Sequence, residues 1–143
     1  MRKRTLAREH ALKILYQADI TRRDIEQTAV SFWRDEEEEI DKEVKEFAQR
    51  IVVGVHSQLS SIDEKISEYA TNWQLKRMAV IDRNVLRIGV FELKFAPDIP
   101  QKVTINEAVE LAKKYGDLDS SKFVNGILDK IHKKETMRQG NSS

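Results

Sequence analysis

Residues 79–95, AVIDRNVLRIGVFELKF, decide the fold. Val80, Ile81, Val85, Leu86, Ile88, Val90, Phe91 and Leu93 leave this stretch apolar on nearly every side. A helix that is apolar all round in a water-soluble chain is a central, buried one. Pro97 and Pro100, the only prolines, end it and mark a short extended connection. The rest of the chain must therefore wrap this helix.

Helical periodicity continues in both directions. Upstream, Ala7, Ala11, Ile14, Leu15 and Ala18 share one helical face, with Thr5 as the expected N-cap. A shorter helix is expected from Asp24 to about Arg34. The acidic run Asp35 to Glu46 then leads into Val44, Phe47, Ala48, Ile51, Val52, Val55 and Leu59, and its acids suit a helix N-terminus. Ser61-Ile62-Asp63-Glu64 reads as a capping box opening a helix whose stripe is Ile62, Ile66, Tyr69, Ala70 and Trp73. Downstream, Thr104-Ile105-Asn106-Glu107 reads as a second box, with Val103 and Ala108 as its staple and Gly116 at the helix's end. A last helix is expected over about 120–134, with Phe123, Val124, Ile127, Leu128 and Ile131 inward. Gly126 sits in that helix at a cost of about 1 kcal/mol against Ala, which predicts close packing on a neighbour. The fold class is all-α: one domain of about seven helices in two lobes, about 1–58 and 59–134, with a frayed tail at 135–143.

Composition closes off most chemistry. Leu, Ile, Val and Phe make up 39 of 143 residues, enough for a real core. The absence of cysteine excludes disulfides, thiolate metal sites and thiol nucleophiles. His10, His56 and His132 stand far apart, without metal-ligand spacing. The five glycines form neither a phosphate loop nor a dinucleotide fingerprint, and no serine lies in a nucleophile elbow. The acidic run lacks the glycine and terminal Glu of a calcium loop. No residue set carries an enzymatic reaction, and no cofactor is expected. No apolar stretch reaches transmembrane length, and Lys13 and Gln17 interrupt the run that a signal peptide needs.

Net charge is only +1, so charge informs through its placement. Arg2, Lys3, Arg4 and Arg8 fall within eight residues that hold no acid, and a basic helix start grips a nucleic-acid backbone. A solvated basic terminus is the plain alternative. The second feature is Asp119-Ser120-Ser121-Lys122-Phe123, where a helix N-terminus carries small polar groups, a lysine and an aromatic within one turn. Phe123 either stacks on an unpaired base or continues the core stripe through Ile127 and Ile131. Tyr16 lies at the edge of the first helix's stripe, where its ring meets either a partner or a helix seam.

Four motifs occur in order: Arg8, Ala11, Leu15 and Tyr16 in R-x-x-A-x-x-x-L-Y; D-R-N-V-L-R-I-G-x-x-E-L from Asp82 to Leu93; V-x-I-N-E-A-V-E-L-A-K-x-Y from Val103 to Tyr115; and S-x-K-F-V-N-G-I-L-D from Ser120 to Asp129. Together they closely resemble the NusB transcription antitermination family across essentially the whole chain. The resemblance implies a bacterial, cytoplasmic, all-helical, non-enzymatic protein. It would bind the single-stranded boxA element of nascent ribosomal RNA leaders together with NusE, a small-subunit ribosomal protein, within the RNA polymerase antitermination complex. It implies RNA contacts at Arg4 and Arg8, at Tyr69, and at Asp119, Lys122 and Phe123, to which the residue pattern adds Arg2, Lys3 and Ser120. It implies that Tyr16 and Asp82 face NusE. Thr5 and Leu6 stand where some relatives carry further arginines, a departure that points to weaker RNA affinity or more reliance on NusE.

Other readings compete. A fused RNA methyltransferase needs a cofactor-binding sheet, for which 143 residues leave no room. A helix-turn-helix DNA reader would spend Val124, Ile127, Leu128 and Ile131 on the core, leaving few side chains for bases. A protein-interaction bundle without RNA specificity accounts for the helices but treats the basic start as incidental.

Overall fold

The structure, a computed structural model, describes residues 2–36 and 38–141, with side chains through 136. Met1, Glu37 of the acidic run, and Ser142 and Ser143 of the tail lie outside the described residues. Seven α-helices and one 3₁₀ turn, and no strand, make up the described residues: α1 (Lys3–Thr21), α2 (Ile25–Asp35), α3 (Lys42–Ser57), α4 (Leu59–Tyr69), the 3₁₀ turn (Leu75–Arg77), α5 (Val80–Phe95), α6 (Gln101–Tyr115) and α7 (Ser120–Asn141). Helix α5 is central, as its composition requires, and packs against α1, α3, α4, α6 and α7. Even its polar Asn84 and Glu92 are buried.

Two glycines permit the closest approaches. A Cβ on Gly54 of α3 would lie 2.0 Å from the Phe91 ring of α5, and one on Gly89 would lie 2.7 Å from Leu128 of α7. Gly126 is different from what its position suggests: nothing stands within 4 Å of where its Cβ would be, so it packs against no neighbouring helix.

Several helix ends also differ from the sequence reading. Helix α1 begins two residues before Thr5, whose hydroxyl donates instead to Glu107 at 2.8 Å. Both capping boxes fall inside helices, because α4 starts at Leu59 and α6 follows directly on Pro100. Proline at that boundary loses nothing, since the first N–H groups of a helix have no intrahelical acceptor. Thr104, freed from capping, donates its hydroxyl to Glu92. Asp24 and Asp41 do cap, accepting from backbone N–H groups at the starts of α2 and α3. Gly116 ends α6 with extended backbone, and the left-handed residue is Arg22, after α1. The tail is helical to Asn141, and Glu135 is tied to Lys65 at 2.7 Å. Trp73 lies beyond α4 and is 55% exposed, not part of an inward stripe.

Two ionic assemblies fix the helices around α5. Arg8 is 2% exposed and Glu92 1%. The Arg8 guanidinium donates to both Glu92 oxygens at 2.8 Å, and Thr104 donates to the same carboxylate. One site thus joins α1, α5 and α6. At the other end Asp19 accepts from Arg83, Asn84 and Arg87, and Arg87 also grips Asp63 through two bonds. Burial alone would raise the Asp19 carboxyl, but those hydrogen bonds and the arginine charges outweigh it and hold it below its ordinary value.

Arg8→Ala should cost about 3–5 kcal/mol in urea unfolding, because it strands a buried carboxylate; replacing Arg8 and Glu92 together with Met should recover most of that loss. Gly126→Ala should gain up to about 1 kcal/mol, whereas Gly54→Ala should lose about 1–3 kcal/mol by displacing Phe91. The Asp19 contribution is complete above its ordinary pKa of 3.8 and disappears as pH falls through the depressed value. Asp19→Asn should therefore flatten the acid limb of a stability–pH curve.

Candidate functional site

The segment between α6 and α7 is held by short local bonds. The Ser120 hydroxyl accepts from the Asp117 N–H at 2.9 Å, and the Phe123 N–H reaches the Asp119 carbonyl at 3.1 Å. Ser120 is buried, and its hydroxyl shapes the turn. Asp119 and Lys122 are exposed. Phe123 is half-buried and meets Trp73 edge to face, with centroids 6.4 Å apart. Neither of its two sequence readings is complete, since the ring packs on the core and also lines a cleft of about 380 Å³.

The first turn of α5 brings Asp82 to that same cleft, beside Asp119 and Phe123. A residue expected to face the protein partner thus shares a wall with residues expected to face RNA. One Asp82 oxygen is enclosed and has no hydrogen-bond partner among the described residues. Trp73, which the sequence reading set on an inward stripe, and Arg77, which it did not single out, line the cleft too. The signal was available: an aromatic in a polar stretch, Thr71-Asn72-Trp73-Gln74, that breaks helical periodicity.

At the start of α1, Arg2, Lys3 and Arg4 are exposed. Lys3 pairs with Glu43 at 3.2 Å and Asp41 at 3.4 Å, and these bonds raise its pKa. The Arg4 guanidinium stands 4.5 Å from the Phe47 ring centroid. Arg8 does not join them. Its charge is spent on Glu92 inside the core, and the expected phosphate contact there is corrected to an internal ion pair.

Helix α6 connects the two regions. Glu107 at its middle meets Thr5, and its end leads into the α7 turn. Between them Glu9 accepts from Lys114 at 2.6 Å and from the Tyr115 hydroxyl. Burial, followed by the bond to Glu9, pushes the Tyr115 phenol up to about 12, so it stays a donor. This side of the molecule carries cations at one end, an acid-lined aromatic cleft at the other and a paired middle.

Tyr69 is only 4% exposed, with the Lys65 and Lys134 ammonium groups 5.8 and 5.4 Å from its ring centroid. Its ring is covered, and a stacking base has no open face of it to use. Tyr16 is half-buried on α1, one turn before the Asp19 that bonds the start of α5. Tyr16 and Asp82 therefore lie toward one end of the bundle. Among the described residues no group of three His, Asp or Glu side chains is placed to hold a metal ion, and no helix is long and apolar enough to cross a membrane.

Known proteins with this architecture are similar to it in sequence. The transcription antitermination protein NusB of Myxococcus xanthus is 48% identical over 130 residues, which cover 90% of this chain and 93% of that protein. A solved structure of T. maritima NusB is 45% identical, covers 93% of this chain and 92% of its own, and superposes with a TM-score of 0.82. The antitermination factors NusB and NusE solved in complex with dsRNA include a chain 30% identical to this one, with a TM-score of 0.83 over 93% of this chain and 98% of its own. The NusB family model matches residues 5–133, and the chain belongs to the NusB family.

Proposed function

We propose that this protein is a non-catalytic, cytoplasmic transcription antitermination factor that binds the boxA element of nascent ribosomal RNA leaders together with ribosomal protein NusE. The observation that carries the reading is the α7 start, where exposed Lys122 and half-exposed Phe123 stand beside a cleft walled by a second aromatic. A cation beside an aromatic serves single-stranded RNA, with the cation on phosphate and the ring on an unstacked base. Relatives named for antitermination, and a relative solved with NusE and RNA, support the same assignment.

The residues divide by accessibility. Arg2, Lys3, Arg4 and Lys122 contact phosphates, and Asp119 and Phe123 shape base binding. Ser120 holds the turn, Tyr69 supports the surface from beneath, and Arg8 maintains the fold that presents them. Tyr16 faces NusE, and Asp82 stands at the border between that partner and the RNA.

Replacing Arg2, Arg4 and Lys122 together with Ala should lower the slope of log K against log salt by about 2, at roughly 0.7 per single-strand phosphate. An unchanged slope in a gel-shift series would place the RNA elsewhere. Phe123→Ala should weaken boxA binding by about 1–3 kcal/mol; a much lower melting temperature with normal RNA affinity in the folded protein would make it a core residue alone. Tyr16→Ala should weaken NusE binding in calorimetry and leave RNA binding by the isolated protein unchanged. Loss of both would argue against a separate partner face.

A further inference from the structure

The acidic run has no part in the RNA reading, yet it lies against the residues assigned to RNA. Eight acids against two lysines fall between positions 35 and 46. The segment meets α1 at two levels: Glu36 stands within electrostatic range of His10, and Asp41 and Glu43 reach Lys3. The second contact is built on a fixed support. One Asp41 oxygen caps α3 by accepting from the Glu43 and Val44 N–H groups, and the other stands 3.4 Å from the Lys3 ammonium. Lys3 also donates to Glu43 at 3.2 Å. Both carboxylates sit at the start of α3, where the helix dipole favours them. The ammonium is therefore held between two anions, in the setting that the phosphates of a strand would give it. Glu36, Glu38 and Glu39 are exposed on the same segment.

We infer that the α2–α3 segment is an internal competitor of RNA: Asp41 and Glu43 hold Lys3 in the place of a phosphate, and a bound strand must displace them. The inference deepens the RNA-binding reading above, as an autoinhibitory contact at its α1 site, and rests on it. Arg2 and Arg4 form no ion pair among the described residues, so the competition is confined to Lys3. A site whose competent form is only partly populated binds more weakly by that fraction. An exposed ion pair is worth about 1.4- to 5-fold in an equilibrium. Two such pairs on one ammonium weaken RNA binding without abolishing it. Salt screens exposed pairs, so the competition is strongest at low ionic strength.

Asp41→Asn together with Glu43→Gln removes both charges and keeps the α3 cap, since Asn caps a helix about as well as Asp. In fluorescence anisotropy with a fluorescein-labelled boxA RNA, this variant should bind about 2- to 10-fold tighter than the unaltered protein at low salt. The gain should shrink as salt rises. Lys3→Ala separates contact from general repulsion. In that background the same two acid changes should gain less than half as much, because no ammonium is left to release. Lys3→Ala should in turn weaken RNA binding more in the acid-neutral protein than in the unaltered one, the coupling that a double-mutant cycle measures. Glu43→Gln alone leaves the cap untouched and should give part of the gain, which keeps the test valid if the double variant melts early. No gain in either acid variant would overturn the inference while the proposed function stands. A gain of equal size in Lys3→Ala would overturn it too, by showing repulsion of any polyanion and no displaced contact. If neither the protein nor its variants bind boxA RNA, with NusE included, the proposed function itself fails.

Discussion

The buried pair of Arg8 and Glu92 is the constraint around which the bundle is arranged. Two charges have left water, and such a pair is tolerable only when its geometry is good and its remaining hydrogen-bonding capacity is used. Both conditions hold here: the guanidinium meets the carboxylate with two bonds of 2.8 Å, and Thr104 satisfies one oxygen again. The requirement is geometric, so it fixes how α1 and α6 stand on α5. A hydrophobic contact in the same place would accept a range of rotations. The Asp19, Arg83, Arg87 and Asp63 assembly makes a comparable demand at the other end, where α1 and α4 meet α5.

These internal charges explain how a chain of net charge +1 presents a useful electrostatic surface. Many of its ions cancel locally: Arg8 with Glu92, Arg87 with Asp63, Lys114 with Glu9, Arg50 with Asp98. Once those are set aside, Arg2 and Arg4 at the α1 start and Lys122 at the α7 start remain among the exposed cations of the candidate face. The acids Asp82, Asp117 and Asp119 gather at one cleft of that face. Exposed cations and clustered acids are thereby separated on one molecule.

The glycines show the same division between packing and exposure. Gly54 and Gly89 exist because ring and leucine atoms of neighbouring helices occupy the space of a Cβ. Gly126 has no such neighbour and costs its helix stability, so packing does not account for it. It lies one turn beyond Lys122 on the exposed side of α7.

Much of this protein was legible in its sequence. The all-round apolarity of residues 79–95 required a central helix, the stripes of α1, α3 and α7 required helices around it, and the ordered motifs pointed to the family. These are properties of periodicity and residue type, which do not depend on distant parts of the chain. Helix starts were less legible, because Thr5 and Thr104 look like caps until Glu107 and Glu92 are seen to accept from them. The roles of the cations and aromatics were decided only by tertiary structure. Arg4 and Arg8 are one helical turn apart, alike in sequence and both over the Phe47 ring, yet one is exposed and the other is enclosed on Glu92, 84 residues away. Tyr69 and Trp73 were placed on one inward stripe, but α4 ends between them, burying the first ring and turning the second to solvent beside Phe123. Local pattern specifies which faces are apolar, whereas exposure of a particular charge or ring depends on what another segment brings against it.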